Sequence, residues 1–153
     1  MPRHPERFAT VGALCEARGF QVARRSQREL PPNTDIVLGD TMGELLLMFG
    51  ASDIAFVGGS MVPNGGHNFI EPAAWQLPLV SGEHVFNFAE VARLLSDAGA
   101  LTLVDSVDAL AQQIKLLVND AQVRKNKGGA ARGVAEANRG ALEKTIKIIE
   151  QYL

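Results

Sequence analysis

Apolar residues along this chain change their spacing from one short segment to the next, and that change predicts the elements. Residues 20–24 (Phe-Gln-Val-Ala-Arg) alternate apolar and polar, as a half-buried strand does. Residues 35–38, 54–57, 78–82 and 101–104 are short runs rich in Val, Ile and Leu, which predict four more strands, the third of these four opened by Pro78. Between them the apolar spacing becomes helical. Pro5 opens a predicted helix that carries Phe8, Val11, Leu14 and Cys15 on one face and stops at Gly19. Residues 25–33, with Pro31 and Pro32, read as a loop. Thr41 and Glu44 have capping-box spacing ahead of a helical run at 45–49, which Gly50 ends. A short helix is predicted at 73–76, and an amphipathic one at 87–98 through Phe88, Val91, Leu94 and Leu95, closed by Gly99. Ser106 caps a helix that turns Leu110, Ile114, Leu117 and Val118 inward. From Ala121 the composition is helical but weakened by Gly128, Gly129, Gly133 and Gly140, and Leu142, Ile146, Ile149 and Leu153 form an apolar stripe on the last helix.

Strands alternating with helices at these lengths make βαβ units. The fold class expected is therefore α/β, a Rossmann-like, doubly wound and mostly parallel sheet. Ligands of such sheets bind outside the carboxyl ends of the strands. Segments 3–4, 39–44, 58–71 and 81–87 each follow a strand, or a place where one is expected, so they are predicted to converge on one edge.

The segment richest in chemistry runs from 58 to 73, Gly-Gly-Ser-Met-Val-Pro-Asn-Gly-Gly-His-Asn-Phe-Ile-Glu-Pro-Ala. A strand, a glycine-rich crossing and a helix start suit an anion, because glycine lets backbone approach closely and the first helical turn points N–H groups outward. The spacing matches neither a dinucleotide fingerprint nor a phosphate-binding P-loop. The plainer reading is a loop that needs positive φ, with Asn68 and Glu71 as a capping box; a capped helix start still presents donors, so the two readings are compatible. Ser60 is a candidate hydroxyl donor, with ordinary turn chemistry as the alternative. Glu71 suits ribose hydroxyls better than a phosphate. Arg3 is a candidate for bidentate phosphate or carboxylate pairing, although alone it would be read as a solvated arginine. Glu44 is explained as a cap, and Trp75 as core rather than a base-stacking platform.

Composition narrows the field. A length of 153 residues predicts a single domain, and a hydrophobic share of 46% suits a globular core. Fifteen basic against seventeen acidic residues, net −2, argue against a nucleic-acid partner. The lone Cys15 makes no intrachain disulfide and fits a reducing compartment. His4, His67 and His84 have no metal-ligand spacing, so neither zinc nor another metal cofactor is expected. No apolar run approaches the roughly 20 residues of a membrane span.

Taken together, Pro2-Arg3-His4-Pro5-Glu6-Arg7-Phe8, Gly39-Asp40-Thr41-Met42-Gly43-Glu44-Leu45, Gly58-Gly59-Ser60 and Gly65-Gly66-His67-Asn68 through Glu71-Pro72-Ala73 closely resemble the C-terminal half of the Kdo (3-deoxy-D-manno-octulosonic acid) transferases. The resemblance runs over nearly the whole chain. It implies one half of a GT-B glycosyltransferase, with residues 1–153 as a CMP-Kdo donor-binding domain and the acceptor domain lying outside these residues. The activity implied is metal-independent, inverting transfer of Kdo to a lipid A precursor, at the cytoplasmic face of a bacterial inner membrane. By the same resemblance Arg3 holds the CMP phosphate, Met42 and Gly43 lie along the nucleotide, and Ser60, Gly65 and Gly66 line the phosphate and Kdo region. Asn68 anchors the donor and Glu71 accepts from ribose hydroxyls.

The family usually has proline where Phe69 stands, a change expected to alter loop stiffness more than chemistry. No residue here takes the role of the family's general base, a glutamate of the other half, and the strand expected just before Pro2 is missing. A truncated donor-binding domain that binds CMP without turnover is the expectation. The missing strand and the stripe of Leu142, Ile146, Ile149 and Leu153 also suggest self-association or a mobile C-terminal segment. Two alternatives remain at this point: a UDP-sugar epimerase-like domain, and a non-catalytic interaction module.

Overall fold

Every strand pairing among the described residues is parallel, and helices separate the strands in sequence except between the first two, at 22–24 and 36–38, where none is described. The computed structural model describes residues 1–153 apart from 28, 140–145, 147, 148 and 151–153. Its elements in order are α1 (Phe8–Glu16), β1 (Val22–Arg24), β2 (Ile36–Leu38), α2 (Leu45–Gly50), β3 (Ala55–Val57), α3 (Ile70–Ala74), β4 (Leu79–Gly82), α4 (Ala89–Asp97), β5 (Leu101–Val104), α5 (Val107–Asn119) and α6 (Ala121–Ala137). The chain divides into two compact units, Met1–Met48 and Phe49–Leu153.

In the first unit β1 pairs with β2, Val22 opposite Ile36 and Arg24 opposite Leu38. α1 rests on this pair through Gly12, where a Cβ would sit 3.5 Å from Leu38, and through buried Phe8. Gly19 ends α1 at φ +85, with Gly19 N–H donating to Glu16 O and Phe20 N–H to Cys15 O. This doubly bonded left-handed turn is why β1 begins at Val22 rather than at Phe20. Leu14, expected inward, is 50% exposed because α1 buries the Phe8 and Gly12 side of its surface instead.

The second unit holds a three-stranded sheet in the order β3-β4-β5. All four residues of β4 are buried, since the strand is covered on both faces. One face packs Ala55, Val57, Leu79 and Leu101 against Phe69, Ala73, Ala92, Leu95, Ala131 and Ala135 from the α3, α4 and α6 regions. The other packs Val80 and Val104 against Leu117 of α5, with Ile114 and Leu110 beside it. Phe69, fully buried, meets Phe88 edge to face at 6.2 Å. Gly99 closes α4 with the same bonding pattern that Gly19 gives α1. Ser106 caps α5 as expected, its hydroxyl accepting from Ala109 N–H at 3.2 Å.

The parallel α/β class expected from the sequence is observed, in two sheets rather than one. Among the described residues β1 and β2 form one sheet and β3, β4 and β5 the other. Several boundaries also move. The helix expected at 73–76 is α3, which starts earlier and ends before Trp75. Trp75 is therefore not core: its ring lies against Gly50 and is 49% exposed. A 3-10 turn over Phe86–Phe88 replaces the first turn expected of α4. Val118, expected inward, is 59% exposed. Of the C-terminal stripe, Leu142 and Leu153 lie outside the described residues, and Ile146 and Ile149 are exposed.

α6 is continuous despite its glycines, and Gly128 has a reason that composition hides. A Cβ at Gly128 would stand 2.1 Å from the backbone oxygen of Gln76, whereas Gly129 and Gly133 face open space. Gln76 is itself held at φ +60, the sole left-handed non-glycine among the described residues. Gly128→Ala is expected to destabilise the chain by roughly 1–3 kcal/mol, since backbone must move. Gly129→Ala and Gly133→Ala, free of contacts, are expected to stabilise it by up to about 1 kcal/mol through helix propensity. Urea unfolding of the three variants reads the contrast, and an equal response would mean that α6 does not lie against Gln76.

Candidate functional site

The loop leaving β3 crosses directly over the end of β4, and one hydroxyl holds the crossing. Ser60, fully buried, donates through Oγ to Val57 O at 2.7 Å and accepts from Gly82 N–H at 2.8 Å. His84 N–H then donates to Ser60 O at 3.0 Å. A Cβ on Gly82 would lie 2.2 Å from Ser60 O, so only glycine lets the two backbones pass. Ser81 Oγ adds a longer bond, 3.3 Å, to Val57 O. Of the two readings of Ser60, turn chemistry is the one observed: its hydroxyl is committed inside the protein.

Gly66 N–H donates to Gly59 O at 3.0 Å and closes the loop on itself. Gly65 and Gly66 are both left-handed, φ +84 and +75, and both buried. The space a Cβ would fill at Gly65 is occupied by Asn87, whose Nδ2 would be 2.2 Å away. Asn87 also donates from Nδ2 to Asn64 O at 3.2 Å and from its backbone N–H to Gly65 O at 3.3 Å. The His67 ring stands against Gly59.

At the far end Asn68 Oδ1 accepts from Ile70 N–H at 2.9 Å, while Asn68 Nδ2 donates to Glu71 Oε1 at 2.9 Å. The expected capping box is thus half realised, because Glu71 meets the Asn68 side chain rather than its backbone. α3 is five residues long, Asn68 already engages Ile70 N–H, and Pro72 has no donor. Such a short helix has a small dipole, so an anion here depends on the backbone of the glycine loop more than on the helix start that the sequence suggested. Ser60, Gly65, Gly66, Asn68 and Glu71 all belong to this one loop and its exit.

Arg3, Met42 and Gly43 belong to the first unit. Met1 and Met48 both pack where a Cβ on Gly39 would be, which puts the N-terminal residues at the carboxyl end of β2. Arg3, two residues on, is exposed, as is Met42 at 63%, and Gly43 is left-handed with open space beside it. Thr41 Oγ1 donates to Glu44, again side chain to side chain rather than the expected backbone cap. Arg25 pairs with the same carboxylate at 3.1 Å. Asp40 accepts from Ser26 N–H at 2.9 Å and Ser26 Oγ at 2.7 Å.

Among the described residues no cluster of three or more His, Cys, Asp or Glu is placed to hold a metal. None of the described helices is long and apolar enough to cross a membrane. A separate cleft of about 270 Å³, lined by Asp53, Trp75, Gln76, Arg124 and Lys125 among others, lies at the amino ends of β3 and β4, away from the glycine loop.

No family model matches the chain. A 3-deoxy-D-manno-octulosonic acid transferase of Haemophilus influenzae is 47% identical over 155 residues, covering 100% of this chain and 36% of its own length. The same enzyme of Bordetella pertussis is 40% identical, again over 100% of this chain and 36% of its own. The chain therefore spans just over a third of these curated relatives. Among solved structures, the C-terminal CMP-Kdo binding domain of WaaA from Acinetobacter baumannii is 32% identical with a TM-score of 0.83, covering 88% of this chain and 70% of that one.

Asp40 links the shape of the first unit to pH. Burial pushes its carboxyl up, but the two bonds from Ser26, its own backbone amide and Arg24 outweigh this and hold it below its ordinary value. A lowered folded-state value contributes stability above the unfolded carboxylate value of roughly 4 and loses it as pH falls through the folded value. Wild type should therefore exceed Asp40→Asn in stability at pH 7, with the gap closing as urea midpoints are followed down into acid. A gap independent of pH would show that the Asp40 charge is not the stabilising feature.

Proposed function

The chain belongs to the family of 3-deoxy-D-manno-octulosonic acid transferases, and from that membership we propose that it is the donor-binding part of an inverting glycosyltransferase, taking CMP-Kdo as its sugar donor. The carrying observation is the latched glycine loop at the carboxyl ends of β3 and β4, in a chain 32% identical to a CMP-Kdo binding domain. We assign the charge-assisted contact with the CMP phosphate to Arg3, and contacts along the nucleotide to Met42 and Gly43. The backbone at Ser60, Gly65 and Gly66 lines the phosphate and Kdo region. Asn68 anchors the donor, and Glu71, held by Asn68 Nδ2, accepts from ribose hydroxyls.

When the glycosidic bond to phosphate breaks, negative charge grows on the departing CMP. A guanidinium and ordered backbone amides stabilise that charge without reorganising at the moment of reaction. Inversion also needs a base to take the proton of the acceptor hydroxyl. We assign that base to a glutamate beyond these residues, and so propose that these residues bind CMP or CMP-Kdo without turnover. The acceptor of the whole enzyme would be a lipid A precursor, met at the cytoplasmic face of an inner membrane.

Titration calorimetry with CMP tests the reading. Binding by the wild type and its weakening in Arg3→Ala by roughly 1.5–3 kcal/mol, about tenfold to a hundredfold, are expected. Tighter binding of a uridine nucleotide than of CMP would move the reading to a UDP-sugar domain. Unaltered affinity in Arg3→Ala would remove that residue from the site.

Metal-independent donor binding is part of the proposal, since the anion is assigned to arginine and backbone amides. Adding EDTA to the same titration should leave the affinity as it was, and a fall restored by a divalent cation would contradict it.

A further inference from the structure

Asn87 carries polar contacts that its position in the fold does not require. It lies in the 3-10 turn ahead of α4, yet the N-cap of α4 is Phe88, without a side-chain cap, and the N-cap of the turn is Val85. Its side chain turns instead to the neighbouring loop. Nδ2 donates to Asn64 O at 3.2 Å, and the backbone N–H donates to Gly65 O at 3.3 Å. Gly65 has no Cβ where Nδ2 lies, so the glycine and the asparagine occupy one another's space. The contact is exposed, so it contributes little to global stability. It fixes where the two consecutive left-handed residues, Gly65 and Gly66, place their backbone. The opposite wall of the same loop is fixed by Ser60 and Gly82, while the 64–66 turn is held by backbone bonds, Gly66 N–H to Gly59 O and Asn87 N–H to Gly65 O, and by the Asn87 side chain on Asn64 O.

We infer that Asn87 is a positioning residue for the donor: by holding Asn64 O and filling the space beside Gly65, its side chain sets the backbone of Gly65 and Gly66 against the donor's phosphate and sugar acid. This rests on the donor reading above. The amide is the right group because it gives a donor to a carbonyl without adding charge beside an anion. A carboxylate at the same place would repel both Asn64 O and the ligand.

The test uses Asn87→Ala and Asn87→Asp in the full chain, with CMP titration, melting and amide hydrogen exchange on each. Asn87→Ala should weaken CMP by about twofold to tenfold with the melting temperature unchanged, and the exchange of the Gly65 and Gly66 amides should quicken without CMP present. Asn87→Asp should weaken CMP further, and raising the salt should recover part of that additional loss. A wild type that binds CMP beside an Asn87→Ala that binds it equally well would overturn the inference and leave the donor reading intact. Quickened exchange spread through β4 and α4, with a lowered melting temperature, would overturn it too, by making Asn87 a structural residue. A wild type that does not bind CMP would instead sink the donor reading, and the donor role of Asn87 with it.

Discussion

The crossing of the glycine loop over β4 depends on a single buried hydroxyl. Ser60 Oγ is tied at once to the strand it follows, through Val57 O, and to the strand it crosses, through Gly82 N–H. Both partners are backbone groups in a buried, low-dielectric setting, where a lost bond is costly. The bonds fix the height at which the loop passes over β4. Other contacts order the loop beyond it: the return of Gly66 to Gly59, the bond from His84 N–H to Ser60 O, and the packing of Phe69 in the core against Phe88.

A loop held this way is ordered by the protein itself. Its glycines give it close approach, yet they do not leave it slack, because hydrogen bonds and packing supply the order that side chains would otherwise impose. A ligand that meets such backbone loses less to ordering the protein than one that must fold a lid around itself. Phe69 contributes to the same end. Where the sequence suggested only altered stiffness, the ring is a fully buried anchor that fixes the far end of the loop to α4 and the core.

Much of the fold was legible because its signals are local. Gly19 and Gly99 end helices through bonds among neighbours, and Ser106 caps α5 within three residues. What was not legible depends on distant partners. Gly128 reads as a weak point in a helix until Gln76 O is seen against it, and Glu44 reads as a cap until Arg25 arrives from β1's far turn. Leu14 and Val118 fit a helical stripe but fall outside the arc that packing buries. In the site, the motif announced the loop while hiding its mechanics. Ser60 read equally as a ligand donor or as turn chemistry and is the latter, and Asn87 looked like a helix start and faces Gly65.

Trp75 has an optical consequence. It is the single tryptophan of the chain, half exposed, with its ring against Gly50 and beside the cleft at the amino ends of β3 and β4. The glycine loop stands at the opposite, carboxyl end of those strands. Indole emission from this protein therefore reports on the floor of the sheet, where α6 lies against Gln76, one short helix away from the exit of the glycine loop. Emission and amide exchange at Gly65 and Gly66 would read the two sides of α3, and their agreement would reveal how stiffly that short helix joins them.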